Sequence, residues 1–297
     1  MPLHTHFAHS IWQFPFFSLL LFCAAWLYLR GWICLRRMHG RVIPIWKAGA
    51  FLLGLFLIWV TWESPIAAYE HRLLTFHMIK HLLLMTFAPP LVLLGEPVKM
   101  FRNELPRVAA IAFRRVSRQA IVCGLIRTFT RPVVCYIVSA VTLLLWHLPP
   151  VFAFAMHSEI WHTTEQAMFL VAGLMFWWPV VEPGAGASAT ARWSILLYLF
   201  LATLPCDILS GFLVFSDRIV YPEYGSAARM LGLSAVGDQQ CAGALMWTCV
   251  TLVYLVPAAI ISARLLSPLS FYRGDLVQSE LRGRAAPQGD SQRLEAI

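Results

Sequence analysis

Seven apolar stretches, each about the length a lipid bilayer demands of a helix, divide this chain and leave few architectures open to it. A hydrocarbon core about 30 Å thick takes about 20 apolar residues at about 1.5 Å rise per residue. We read the stretches at 13–35, 45–62, 71–94, 131–148, 160–181, 193–215 and 239–263. In lipid every backbone N–H and C=O must find a partner, and a helix does so within one segment. The expected fold is all-α, with seven transmembrane helices in one bundle. Turn-forming residues stand between the stretches: Ser64-Pro65, Gly95-Glu96-Pro97, Pro149-Pro150, Pro183-Gly184-Ala185-Gly186 and Tyr221-Pro222-Glu223-Tyr224-Gly225.

Composition agrees. Hydrophobic residues make up 59 % of the chain and charged residues 13 %, against roughly 25 % charged in an ordinary soluble domain. The net charge of +8 is spread over inter-span loops without a groove-reading motif, so no nucleic-acid partner is expected. We divide the chain into a histidine-containing tail (1–12), a membrane domain (13–265) and a polar tail (266–297) expected to be disordered. The opening MPLHTHFAHS lacks a basic n-region and a small-residue cleavage site, so it does not read as a removable signal peptide. No internal repeat is evident, which argues against an inverted-repeat transporter.

Lys and Arg set the orientation. Nineteen of the 23 fall on one set of alternating loops and their flanks, including Arg36, Arg37, Arg41, eight between Lys99 and Arg131, and five from Arg264 onward. The expected N-terminus is therefore periplasmic and the C-terminus cytoplasmic, as in a multi-pass protein of the bacterial inner membrane. Within the loop 99–131, Arg114, Arg115 and Arg118 interleave with Val108, Ile111, Ala112 and Ile121. That pattern suggests a basic amphipathic helix lying on the inner surface, against anionic lipid.

With this orientation nine of the ten histidines fall on the outer side, and only His39 is cytoplasmic. His77 and His81 lie four apart inside the third stretch and share a helix face. Ionisable groups at such depth are costly, so they face a bundle interior and have partners there. His147 ends the fourth stretch. His162 and Glu165 open the fifth on one face, and Asp207, Asp238, Cys241 and Met246 occupy the outer halves of the last two. Helix bundles build metal sites from such facing residues. Imidazole suits copper, zinc, iron and nickel, and the soft neighbours Met78, Met85, Met246 and Cys241 favour copper.

Plainer readings stand beside these. His71 and His157 read as interfacial residues, and His4, His6 and His9 as part of a tail rather than a metal trap. His162 with Glu165 suits a structural hydrogen bond as well as a ligand pair. Asp207 and Asp238 could cap helices or join them, and Lys80 could snorkel or pair with a carboxylate such as Glu165 or Asp207. The seven cysteines include no Cys-x-x-Cys, which disfavours a thioredoxin-like chemistry. Nucleophile-elbow and phosphate-loop motifs are also missing, and nothing in the sequence calls for an enzyme.

An ordered set of motifs resembles the CtaG-type cytochrome c oxidase assembly factors. It comprises His77-Met78-Ile79-Lys80-His81, Ala88-Pro89-Pro90-Leu91, Gly95-Glu96-Pro97, Trp146-His147-Leu148-Pro149, His162 with Glu165 leading into Phe176-Trp177-Trp178-Pro179, and Asp238-Gln239 running to Met246-Trp247. The resemblance covers residues 10 to 265. It implies a seven-helix inner-membrane protein that matures a haem–copper oxidase by handling copper, with oxidase subunits and periplasmic copper carriers as partners. By position it implies His77, His81, His147, His162 and Glu165 as metal ligands, with Asp238 and Met246 secondary. The residues alone also leave open a haem held by two histidines, such as His81 with His147 or His162. A copper or proton transporter is the third reading.

Overall fold

The computed structural model of the chain describes residues 6–39, 44–64, 69–104, 106–182, 189–224, 232 and 234–266. His4, the Pro183–Gly186 turn, Gly225 and the tail beyond Leu266 lie outside the described residues, as do Arg41 and Arg229.

Among the described residues every regular element is helical. The long helices are α1 (His6–His39), α2 (Ile45–Glu63) and α3 (Leu74–Leu94). Three short ones follow: α4 (Pro97–Glu104), α5 (Arg107–Ser117) and α6 (Ala120–Phe129). Then come α7 (Pro132–Trp146), α8 (Pro149–Met156), α9 (Glu159–Val181), α10 (Ala189–Phe215) and α11 (Ala235–Leu266). A 3-10 turn, Pro222–Tyr224, stands between α10 and α11.

Six of these helices are long and apolar enough to cross a membrane. The seventh expected span is different. α7 has only 15 residues, because Pro132 opens it and the Pro149-Pro150 pair forbids its continuation. It reaches spanning length only together with α6, across a bend of 63°. The count is thus six, or seven if that bent pair acts as one span. Within the loop 99–131, α5 and α6 replace the one surface helix expected, and both leave large apolar side chains exposed, among them Ile111, Phe113, Ile121 and Leu125.

α3 is the centre of the bundle. Its span is 56 % buried, against 11 % for α1, and it packs against α2, α9 and α11. α10 lies on α11 and α7, while α1 leans on α2 and α4. Apolar side chains such as Phe22, Leu197, Phe200, Ile208 and Leu255 point outward, which suits a protein whose solvent is lipid.

A π-helical turn, Leu83–Phe87, interrupts α3 just before Pro89-Pro90. The prolines explain it: neither has an N–H, so the carbonyl of Met85 meets no helical donor at the fourth or fifth residue onward. Gly173 of α9 closes on that carbonyl. A Cβ placed on Gly173 would stand 2.7 Å from the Met85 oxygen, so only glycine permits this approach. The close α3–α9 contact sets the two helices that carry the chemistry.

Candidate metal centre

The first residue of α3 follows Leu73, an apolar residue that cannot cap a helix N-terminus. α11 supplies the cap instead. Asp238 accepts the Leu74 N–H at 2.7 Å and the Thr75 N–H at 3.2 Å, and the Thr75 hydroxyl donates to it at 2.6 Å. Its neighbour Gln239 accepts the Val220 N–H at 2.8 Å and donates to the Arg218 carbonyl at 3.2 Å. Asp238 therefore sets the start of α3, and Gln239 fixes the connection between α10 and α11.

From that start His77 and His81 reach about 4.5 and 10.5 Å into the helix. That is shallower than a helix starting at His71 would place them. Their Nε2 atoms face each other at 2.6 Å, and Glu165 Oε1 of α9 lies 3.3 Å from His81 Nε2 and 3.8 Å from His77 Nε2. All three residues are at most 5 % exposed. Three ligand-type atoms thus converge in a dry site, drawn from two helices that Gly173 holds together.

The distances permit a metal-ion test. Two nitrogens bound tetrahedrally at about 2.05 Å stand about 3.3 Å apart. The carboxylate contact already has this spacing, and the imidazole pair would open by about 0.7 Å to admit an ion. Both Glu165 oxygens and both Nδ1 atoms of the pair are buried without a hydrogen-bond partner. A buried carboxylate in this condition calls for a cation.

A second group lies beside the first. Glu70 sits in the turn before α3, with His71 Nε2 at 3.6 Å and His162 Nε2 at 3.8 Å. It also forms an ion pair with Lys80, the buried cation of α3. The ring centres of His77 and His162 are 5.6 Å apart, so the two groups adjoin. His162 and Glu165, though three apart on α9, therefore join different groups. Lys80 pairs with neither Glu165 nor Asp207 but with Glu70, which sequence reading passed over. The signal for Glu70 was the lysine itself: a cation buried in a span needs an anion, and Glu70 is the carboxylate just upstream.

His147 ends α7 at the edge of the site, its ring centre 5.8 Å from that of His81. Met246 lines a cavity of about 40 Å³ below His81, together with Met78, Met85 and Cys206. Asp207 and Cys241 belong to neither group of ligand-type residues. His157 is exposed, its Nδ1 donating to the Ala153 carbonyl at 2.5 Å. The histidines at 6 and 9 fall in the first turns of α1, and their side chains lie outside the described residues.

α8 and the 3-10 turn roof the site. Phe152 of α8 stacks edge-on at 5.0 Å from the His77 ring, and Tyr224 stands 6.2 Å from it. Tyr221 donates its hydroxyl to the His147 carbonyl at 2.7 Å. Burial first, then the negative charge of Glu165, pushes the Tyr221 phenol well above its ordinary value, so it remains a donor. Sequence reading saw both regions as turns, because Pro149-Pro150 and Pro222 signal breaks more clearly than the short helices they start.

Fold and site together define a multi-pass helical membrane protein with a buried histidine–carboxylate cluster. The family model described as cytochrome c oxidase caa3 assembly factor (Caa3_CtaG) matches residues 26–267, and the chain belongs to that family. Uncharacterised proteins of Mycobacterium bovis and Mycobacterium tuberculosis are each 25 % identical over 242 residues, covering 79 % of this chain and 36 % of theirs. A third, from Mycobacterium leprae, is 23 % identical over 244 residues, 80 % of this chain and 36 % of its own. The chain thus spans about a third of the length of these curated relatives. No solved structure matches it.

Proposed function

We propose that this protein helps mature a haem–copper oxidase by holding copper on His77, His81 and Glu165 and passing it to an oxidase subunit. The observation that carries the reading is the Glu165 carboxylate, buried at 1 % exposure against two imidazoles and without a hydrogen bond of its own. Nitrogen and carboxylate donors of this kind bind copper most tightly among the divalent first-row ions. Copper is cargo here, and the chain acts as a carrier rather than a catalyst. The distribution of Lys and Arg supports an inner-membrane protein with its N-terminus in the periplasm, so the cluster would lie on the side of periplasmic copper carriers, beneath its roof.

The haem alternative needs a porphyrin-sized space, and ligand pockets of that kind run to several hundred Å³. The cavity against His81 is about 40 Å³. A transport path would have to continue below His81, where Leu84, Phe169 and Phe176 pack as buried apolar core.

The test is copper binding to the purified full chain in lipid nanodiscs, read by elemental analysis and by competition with a chelator of known affinity. Wild type is expected to hold copper, and Glu165→Gln and His77→Ala/His81→Ala to weaken it at least tenfold, about 1.4 kcal/mol. Cells carrying either variant at normal levels should lose haem–copper oxidase activity. Copper binding that ignores all three substitutions, or wild type that takes up none, sinks the reading.

A further inference from the structure

His147 and Met78 meet through two atoms that each offer an electron pair. His147 Nδ1 donates to the Leu143 carbonyl at 2.7 Å, and a carbonyl cannot donate, so the ring proton is on Nδ1. In the neutral ring Nε2 then carries only its lone pair. That lone pair faces the sulfur of Met78 at 3.3 Å, and the thioether also has no proton to give. Two electron-pair donors converge here, with His147 4 % exposed and Met78 fully buried.

We propose that Met78 and His147 form a second metal position, for a soft monovalent cation such as Cu(I), one imidazole away from His77, His81 and Glu165. Spacing supports it. Nitrogen and sulfur bound tetrahedrally at about 2.0 and 2.3 Å stand about 3.5 Å apart, within about 0.3 Å of the observed contact. With further donors drawn from the adjoining cavity, the position needs less opening than the imidazole pair. A thioether donor selects Cu(I) over harder divalent ions. Below lies the 40 Å³ cavity lined by Met85, Cys206 and Met246, so further soft donors surround the space next to Met78. The residues sort by hardness: carboxylate and paired imidazoles on one side of His81, thioethers on the other.

This position stands whether or not the His77–His81–Glu165 group takes copper. Ag(I) is the probe, because it is soft, monovalent and does not change oxidation state. The full chain in nanodiscs, labelled with selenomethionine, is loaded with one equivalent of Ag(I) and its silver X-ray absorption spectrum recorded. Selenium and nitrogen are expected in the silver shell, selenium marking methionine apart from cysteine. Met78→Leu, which conserves volume, and His147→Ala should each weaken Ag(I) at least tenfold. His77→Ala/His81→Ala should keep Ag(I) while losing Cu(II). A silver shell without selenium or without nitrogen, or unchanged Ag(I) affinity in folded Met78→Leu, overturns the proposal, and the spectrum can overturn it even if that variant fails to fold. Loss of Cu(II) binding alone in wild type would remove the copper reading of the first group and leave this one intact.

Discussion

Lys80 and Glu70 close on each other inside the bundle, an ion pair in which the lysine is 2 % exposed and the glutamate 6 %. The pair ties α3 to the turn that precedes it, directly beside the ligand-type groups. In a buried pair each charge depends on the other: removing one leaves its partner without compensation, at a cost of about 3–5 kcal/mol.

Lys80→Met should therefore destabilise the protein by about that amount, and Glu70→Gln in the same chain should recover most of the loss. Chemical denaturation in mild detergent across the four members of the double-mutant cycle measures this. A double variant no better than Lys80→Met would show that the two side chains do not act as a pair.

Asp238→Ala removes the side-chain cap that α11 supplies to the α3 N-terminus. We expect a loss of about 1–2 kcal/mol, with amide exchange accelerated at Leu74 and Thr75. Exchange at those two amides that stays as slow as in wild type would count against the capping role.

Gly173→Ala sets a methyl group 2.7 Å from the Met85 carbonyl oxygen, whereas an alanine at Gly211 meets nothing within 4 Å. The first should cost about 1–3 kcal/mol and move Glu165 away from the histidines, which on the proposed function loosens copper. The second should be neutral or stabilising by up to about 1 kcal/mol. Thermal melts of the two variants side by side provide the comparison, and equal melting temperatures would refute it.

Glu96 lies outside the spans, in a left-handed conformation at φ 51°. Lys47 and Lys99 bond its carboxylate at 2.5 and 2.8 Å. Partial burial works to raise this carboxyl, but the two lysines outweigh it and hold it below its ordinary value of 4.5. The stabilisation is thus fully present above that ordinary value and is lost as pH falls through the lowered one. Glu96→Gln should remove about 0.5–1 kcal/mol near neutrality and flatten the acid limb of the stability curve. An acid limb identical to wild type would exclude Glu96 as its source.

The membrane helices were legible because lipid enforces length and apolarity residue by residue. The His77–His81 pair was legible because four residues return a helix to the same face. Glu165 was found as a polar residue inside a span, but its separation from His162 was not, since spacing on α9 says nothing of what each faces. Met78 follows His77 by about 100° around α3 and so meets His147 rather than Glu165. Glu70 escaped because it sits in a turn, where no periodicity points to a partner. α7 misled for another reason: its apolar run is long enough on paper, yet prolines at both ends cut the helix short.

The phenol of Tyr221, bonded to the carbonyl of His147, has a kinetic meaning as well as a structural one. With Phe152 and Tyr224 it covers the side of the site where the His77 ring is 1 % exposed, and on the proposed function an ion held beneath would be released as this cover opens. Its residence time would then depend on the free energy of a local opening as well as on the strength of the metal–ligand bonds. A docking partner that drew Tyr221 off the His147 carbonyl would speed unloading without altering a single ligand.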